Sequence, residues 1–338
     1  MGIYKAAVIG AGRIGLSLEG DPKRQKPATH AGTWILHGAT ELVALCDPDP
    51  GLEDRAAAVA PGVPCFGDHG VMLSAVRPDI VSIATHQDTH VDIALDCVGA
   101  GVRAIVSEKP LSENAADAER LMRAADAAGT VLVVNHARRF DPFLDRLRVD
   151  LKAGLIGDIR KVAGSYVYGL HSTGSHLIDL IRFLLTDCVG EVAEVSGWDA
   201  GDSLFHPPGD PCTDGMMRFE SGVLGTVQSM NMKDFDLFEL SITGSRGRVD
   251  IRDRALRADI YATQDAETRS GFRDLSLQAS EVRRSDVASY FAAMGDHVVA
   301  CLDGKSAPAS TGRDSVAALR ILDALRQSAK MNGQRISL

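Results

Sequence analysis

Along the first 135 residues, hydrophobic and polar positions switch between two periods. Short β-branched or apolar runs at Ala6–Ile9, Leu42–Cys46, Asp79–Ala84, Arg103–Ser107 and Val131–Asn135 predict strands. The stretches between them, including Leu52–Ala60, His90–Gly99 and Ala115–Ala128, carry helical spacing, and Gly129 offers a C-cap after the last. Strand alternating with helix predicts βαβ units, right-handed crossovers and a parallel sheet. The first domain is therefore expected over residues 1–135 as doubly wound α/β.

After Asn135 the rhythm changes. Helices are predicted at Pro142–Ala153 and Ser175–Leu185, then strands at Glu191–Ser196, Met216–Phe219, Val223–Met230, Leu237–Thr243 and Arg248–Ile251. Gly222, Gly225, Gly244 and Gly247 punctuate them as turns. Helix returns at Asp286–Leu302 and Arg313–Lys330. Residues 136–338 are expected as an α+β domain for substrate binding and oligomerisation, with its final helices free to pack back on the first domain.

Length and charge narrow the classes. The 338 residues suit about two domains. No apolar run exceeds five residues, too short for a membrane span of about 20. The N-terminus enters a strand pattern at once, so no signal peptide is expected. A net charge of −9 argues against a nucleic-acid backbone as partner. Six cysteines without a CxxC pair read as reduced thiols, so a cytoplasmic protein is expected, with neither membrane nor nucleic acid as partner.

Chemistry enters directly after the first strand. Gly10-Ala11-Gly12-Arg13-Ile14-Gly15 fits the GxGxxG turn, whose glycines let backbone N–H groups approach a pyrophosphate. Asp47 ends the second strand, where an acid accepts from the adenosine ribose hydroxyls. A carboxylate there repels a 2′-phosphate and favours NAD. Asp47 lies 32 residues past Gly15, about a dozen beyond the usual spacing of about 20. The polar stretch Leu18–Pro27 reads as the inserted loop, and Thr29 as the cap of the resumed helix. Lys23, Arg24 and Lys26 in that loop either reach cofactor or substrate anions or form a solvated surface; the first option leaves NADP open.

Four further motifs carry a family resemblance. Val81–His90, Glu108-Lys109-Pro110, Asn135–Pro142 and Gly174–Leu180 resemble, in order, segments of the Gfo/Idh/MocA oxidoreductases. The resemblance implies a Rossmann domain joined to an open-faced sheet domain, with Thr85, His86 and His90 on the nicotinamide side. It implies Lys109 as catalytic, His176 as the catalytic imidazole, and a homodimer or homotetramer formed through the open sheet. Two positions depart from the pattern. His86 stands where the family usually has Pro, and Ser172 where many sugar-oxidising members carry Asp.

Oxidising a secondary alcohol requires removing its hydroxyl proton while hydride leaves for the cofactor. An unperturbed lysine titrates near pH 10.4, and burial beside a positive nicotinamide lowers it into a useful range. Lys109 is therefore the expected proton acceptor, converging with His176 on one hydroxyl, and Glu108 orients either the cofactor ribose or Lys109. Because Ser172 cannot supply charge, either His176 works with Asp179, or the acid–base relay is an unusual one, or His171 takes part. Arg139, Tyr168, His171 and Ser172 are candidate substrate residues, with Arg138 and Tyr166 beside them. His86 and His90 sit four apart, but no Cys or acid cluster completes a metal site, so no metal is expected.

The function expected is thus an NAD-dependent oxidoreductase acting on a CH–OH group of a sugar, cyclitol or sugar derivative. Two alternatives stand beside it: an NAD-retaining glycoside hydrolase working by transient sugar oxidation, and a non-catalytic NAD or sugar sensor.

Overall fold

Strand β1 (Tyr4–Ile9) ends in four consecutive buried residues, the mark of a strand covered on both faces. The computed structural model describes residues 2–201 and 204–338. The chain divides into two compact units, Met1–Phe140 with Val287–Val316, and Asp141–Asp286 with Ala317–Leu338.

In the first unit β1 is followed by α1 (His30–Leu36), β2 (Thr40–Cys46), α2 (Leu52–Val59), β3 (Cys65–Phe66) and α3 (His69–Val76). Then come β4 (Ile80–Ile83), α4 (His90–Gly99), β5 (Ala104–Ser107), α5 (Ala115–Ala128) and β6 (Val131–Val134). The strands form one parallel sheet in the order β3-β2-β1-β4-β5-β6, the doubly wound order with its switch point between β1 and β4. Alternate strand residues feed two cores. Ala7, Ile9, Val81 and Ile105 pack with Leu73, Ala94 and Leu121 on one face. Ala6, Val8, Ile80 and Val106 pack with Trp34 and Ala56 on the other.

The second unit opens with α6 (Pro142–Lys152), β7 (Ile159–Val167) and α7 (Ser175–Val189). Next are β8 (Val192–Asp199), β9 (Thr213–Phe219), β10 (Leu224–Met230), β11 (Glu239–Gly244) and β12 (Gly247–Arg252). Then follow β13 (Arg257–Asp265), β14 (Arg273–Leu275) and β15 (Glu281–Arg284). Helix α8 (Tyr290–Leu302) returns to the first unit, where Ala293, Met294 and Val298 join the core around Trp34. Helix α9 (Gly312–Lys330) begins in the first unit and continues in the second, and β16 (Ile336–Ser337) closes the chain.

The second sheet runs β14-β13-β12-β11-β7-β10-β9-β8-β16, with β15 also paired to β13. Its only parallel pair among the described residues is β7 with β10. Leu177, Ile181 and Leu184 of α7, with Ile321 and Leu325 of α9, cover one face. Gly197 and Gly215 permit this, because a Cβ at either would lie 2.3 Å from the Leu325 carbonyl oxygen or 2.6 Å from its side chain.

The hydrophobic pattern missed β7, the strand at the centre of this sheet. Gly164 interrupts its apolar signal, and it is glycine because the Leu177 side chain would meet a Cβ at 2.8 Å. One consequence corrects an expectation: Tyr166 does not line an open face. It is fully buried, its hydroxyl donating to the Thr213 carbonyl at 2.7 Å and accepting from the Thr213 N–H at 3.0 Å.

Candidate functional site

The glycine turn lies at the switch point, and each glycine answers a different neighbour. A Cβ at Gly10, where φ is +89°, would lie 2.5 Å from the Ala84 carbonyl carbon, so β1 and β4 approach as bare backbone. At Gly15 a Cβ would sit 1.9 Å from the Gly10 carbonyl oxygen. At Gly12 it would meet nothing within 4 Å. No protein atom explains that middle glycine, whereas a pyrophosphate lying on the turn does, so the residues present fit a dinucleotide. Arg13 is exposed and Ile14 half-buried beside it. Asp47 straps the turn: its Oδ2 accepts the Ala11 N–H at 2.8 Å and its Oδ1 the Asp49 N–H at 3.0 Å. Each oxygen keeps a lone pair for a ribose hydroxyl.

The insertion after Gly15 has an unexpected geometry. The turn makes one α-helical bond, Leu16 N–H to the Gly12 carbonyl at 3.0 Å, then two wider ones, Ser17 to Gly12 at 3.0 Å and Leu18 to Arg13 at 2.9 Å, before it leaves the helix. The helix resumes at His30, whose N–H reaches the Ile14 carbonyl at 3.1 Å, while Ala31 reaches Gly15 at 3.0 Å. Those bonds span sixteen positions in place of the usual four, so twelve residues are spliced into one helical ladder. Thr29 caps α1 as expected, accepting from Gly32 N–H at 3.0 Å. Glu19 fastens the loop by accepting from the Ala28 N–H and the Thr29 hydroxyl, both at 2.8 Å. Lys26 does not face outward toward anions. Its ammonium turns into the loop, donating to the carbonyls of Asp21 (3.0 Å), Leu18 (3.4 Å) and Glu19.

Glu108 and Lys109 follow β5 at its C-terminal end, where such sheets bind ligands. The Glu108 carboxylate accepts from Asn135 Nδ2 at 2.6 Å and lies 3.0 Å from His30 Nε2. Burial pushes this carboxyl up, but the His30 and Asn135 hydrogen bonds and the His30 and Lys109 charges outweigh it and hold it at about 2. Glu108 is thus an anion adjoining Lys109, whose own N–H points at Oε2 from 3.3 Å. His90 is buried with its ring between two backbone carbonyls, Pro110 at 2.8 Å and Thr85 at 3.1 Å. It ties the loop after β4 to the loop after β5. Thr85 accepts from the Thr89 hydroxyl at 2.8 Å, and His86 is exposed.

Arg139 is buried and paired to Asp314 at 3.1 Å, with a further bond to the Ala309 carbonyl at 3.3 Å. Burial pushes the Cys46 and Cys97 thiols up to about 12, so neither is an activated nucleophile. Among the described residues no cluster of metal-ligating side chains occurs, and no helix is long and apolar enough to cross a membrane.

In the second unit, a π-helical segment at Gly169–Gly174 leads into α7, which carries His176 half-buried and Asp179 almost fully buried. Tyr168 precedes the segment with φ +67°, its ring 5.7 Å from that of Phe205. Beside Ser172 lies a carboxylate that no sequence signal marked. Asp210 accepts the His171 N–H through Oδ1 and the Ser172 N–H through Oδ2, both at 2.8 Å. Gly169 makes room for it, since a Cβ there would meet Asp210 Oδ2 at 2.4 Å. His171 also stands 3.8 Å from Asp323 of α9.

Comparison with known proteins agrees with this construction. Residues 4–136 match the Gfo/Idh/MocA oxidoreductase family's NAD-binding Rossmann fold, and residues 154–338 its C-terminal alpha/beta domain. The chain is 26% identical to the D-apiose dehydrogenase of Paraburkholderia graminis, covering 99% of this chain and 90% of that one. It is 26% identical to the inositol 2-dehydrogenase of Rhizobium meliloti, covering 95% of each. The fold is shared with the WlbA dehydrogenase of Bordetella pertussis, solved with NADH and UDP-GlcNAcA, at a TM-score of 0.76, 24% identity and 99% coverage of both chains. With both of its domains present in order, the chain belongs to the Gfo/Idh/MocA family of NAD-binding oxidoreductases.

Proposed function

We propose that this protein is an NAD-dependent dehydrogenase oxidising a secondary alcohol of a sugar, cyclitol or sugar derivative, with Lys109 and His176 as its acid–base groups. One observation carries the reading: an open glycine cradle and a lysine beside a half-buried carboxylate anion share the C-terminal edge of the same parallel sheet. Relatives named for apiose and inositol oxidation support the substrate class.

NAD, when bound, takes the hydride leaving the carbinol carbon. In this reading the turn at Gly10, Gly12, Arg13, Ile14 and Gly15 holds the pyrophosphate, and Asp47 accepts from the ribose. Thr85 and His86 border the nicotinamide side, while His90 and Glu108 fix the loops on which they stand. Lys109 takes the hydroxyl proton, and His176 carries it onward with Asp179 or His171. Tyr168 and Ser172 face the substrate, and Arg139, paired with Asp314, borders it. We place the protein in the cytoplasm as a homodimer or homotetramer. Trp198, Met216 and Leu224, exposed on the second sheet, form the self-association face, which Met216→Lys would weaken in sedimentation runs.

The test is purified protein with NAD and a panel of polyols, read at about 340 nm, the reduced-nicotinamide band. Turnover with at least one polyol, lost in Lys109→Ala, supports the reading. No signal with any polyol, together with unchanged properties in Lys109→Ala, sinks it.

A further inference from the structure

Beneath the Glu108 carboxylate runs a buried polar chain that the sequence did not announce. Trp34 Nε1 is 2.8 Å from Ser82 Oγ, Ser82 Oγ is 3.1 Å from His30 Nδ1, and His30 Nε2 is 3.0 Å from Glu108 Oε1. Trp34, Ser82 and His30 are completely buried. The proton positions follow from what each group is able to do. Indole N–H only donates, so Ser82 Oγ accepts from Trp34. A carboxylate only accepts, so His30 Nε2 carries a hydrogen and donates to Glu108, whether the ring is neutral or protonated. With the ring neutral, Nδ1 receives the Ser82 hydroxyl hydrogen, and every bond points from Trp34 toward Glu108.

Such a chain costs more than an apolar core would unless all its members are satisfied, and with the ring neutral all of them are. It ends on the side chain immediately before Lys109. The groups acting on that carboxylate are His30 from α1, Asn135 from beyond β6, and Lys109 itself. His30 is also the residue at which the spliced helix resumes, and the Thr29 cap with its Glu19 clamp sets where that residue lies.

We infer that His30 is a positioning residue of the oxidoreductase site: backed by Ser82 and Trp34, it holds Glu108 ionised and in one orientation, as a fixed counter-charge for Lys109. The inference rests on the proposed function for what Lys109 does, but its primary test does not require turnover. Removing a donor to a carboxylate favours the neutral acid, so loss of the imidazole raises the pH at which Glu108 protonates.

The experiment is a carbon-13 NMR titration of glutamate-labelled protein, the Glu108 side-chain signal being the one missing from Glu108→Gln. In the natural protein that signal stays ionised down to the acid edge of folding. His30→Leu should raise its midpoint by about one pH unit or more. His30→Gln keeps a donor nitrogen near the Nε2 position and should return the midpoint most of the way. Ser82→Ala, which removes the backing hydroxyl, should raise it by a smaller amount. A folded His30→Leu protein with an unmoved Glu108 midpoint overturns the inference. If that variant does not fold, an unmoved midpoint in Ser82→Ala overturns it instead. Where a polyol is turned over, His30→Leu should also lose kcat on the acid side with an unchanged KM for NAD, and His30→Gln should not. If no polyol reacts, the NMR result still stands, so failure of the dehydrogenase reading is told apart from failure of this one.

Discussion

His30 Nε2 and Glu108 Oε1 lie 3.0 Å apart although 78 positions separate them in the chain. That bond joins the first helix of the Rossmann domain to the end of its fifth strand, across the switch point where the glycine turn lies.

The anion at Glu108 links stability to pH. Its carboxyl falls from an ordinary 4.5 to about 2 on folding. A folded value below the unfolded one contributes stability that is complete above about pH 4.5 and lost as the pH falls toward about 2. Urea unfolding between pH 6 and 3 should therefore show a shallower loss of stability in Glu108→Gln than in the natural protein.

The two outer glycines and the middle one should respond differently to alanine. Gly15→Ala forces a Cβ to 1.9 Å from a backbone oxygen and should lower Tm by several degrees. Gly12→Ala meets no protein atom and should leave Tm within a degree or so while weakening NAD at least about tenfold by crowding the phosphates. Thermal melts and NAD titration calorimetry on the pair check this.

Asp47→Ser should narrow the preference for NAD over NADP by about tenfold or more, since a carboxylate beside the ribose repels a 2′-phosphate. The same change frees the Ala11 N–H that Asp47 holds, so NAD itself should bind more weakly. Cofactor dissociation constants for both nucleotides decide the matter.

Lys26→Met should cost stability, with no change in NAD affinity. Its ammonium closes loop carbonyls, and losing those bonds should destabilise the loop by about 1–2 kcal/mol. A large loss of NAD binding would instead show that this lysine reaches the cofactor.

Lys109→Ala and His176→Ala should each lower kcat by about a hundredfold or more. If both act on one hydroxyl, the double variant should be little worse than the poorer single one. Steady-state rates with the best polyol supply the comparison.

Much of the fold was legible because parallel strands buried on both faces print continuous apolar runs, as in Ala6–Ile9 and Ala104–Val106. Strand β7 was not, since Gly164 exists for Leu177, a contact no local pattern carries. The insertion was readable in length from Gly15 to Asp47, but the re-entry of His30 onto Ile14 was not, because a hydrogen-bond ladder crossing a gap leaves no spacing behind. Lys109 and His176 stood out through motifs. Asp210 and Ser82 did not, being single polar residues whose partners are distant in sequence. Lys26, a charge in a polar loop, could be read as an anion ligand or as solvated surface, because composition does not tell which way an ammonium turns.

The splice at Ile14 and Gly15 makes residues 18–29 a cassette. An in-register deletion joining Ser17 to His30 would restore an unbroken helix with the same axis, and a longer graft at that place would enter and leave through adjacent gates. Nature or an engineer is thereby free to change what overhangs the glycine turn without disturbing the sheet below it.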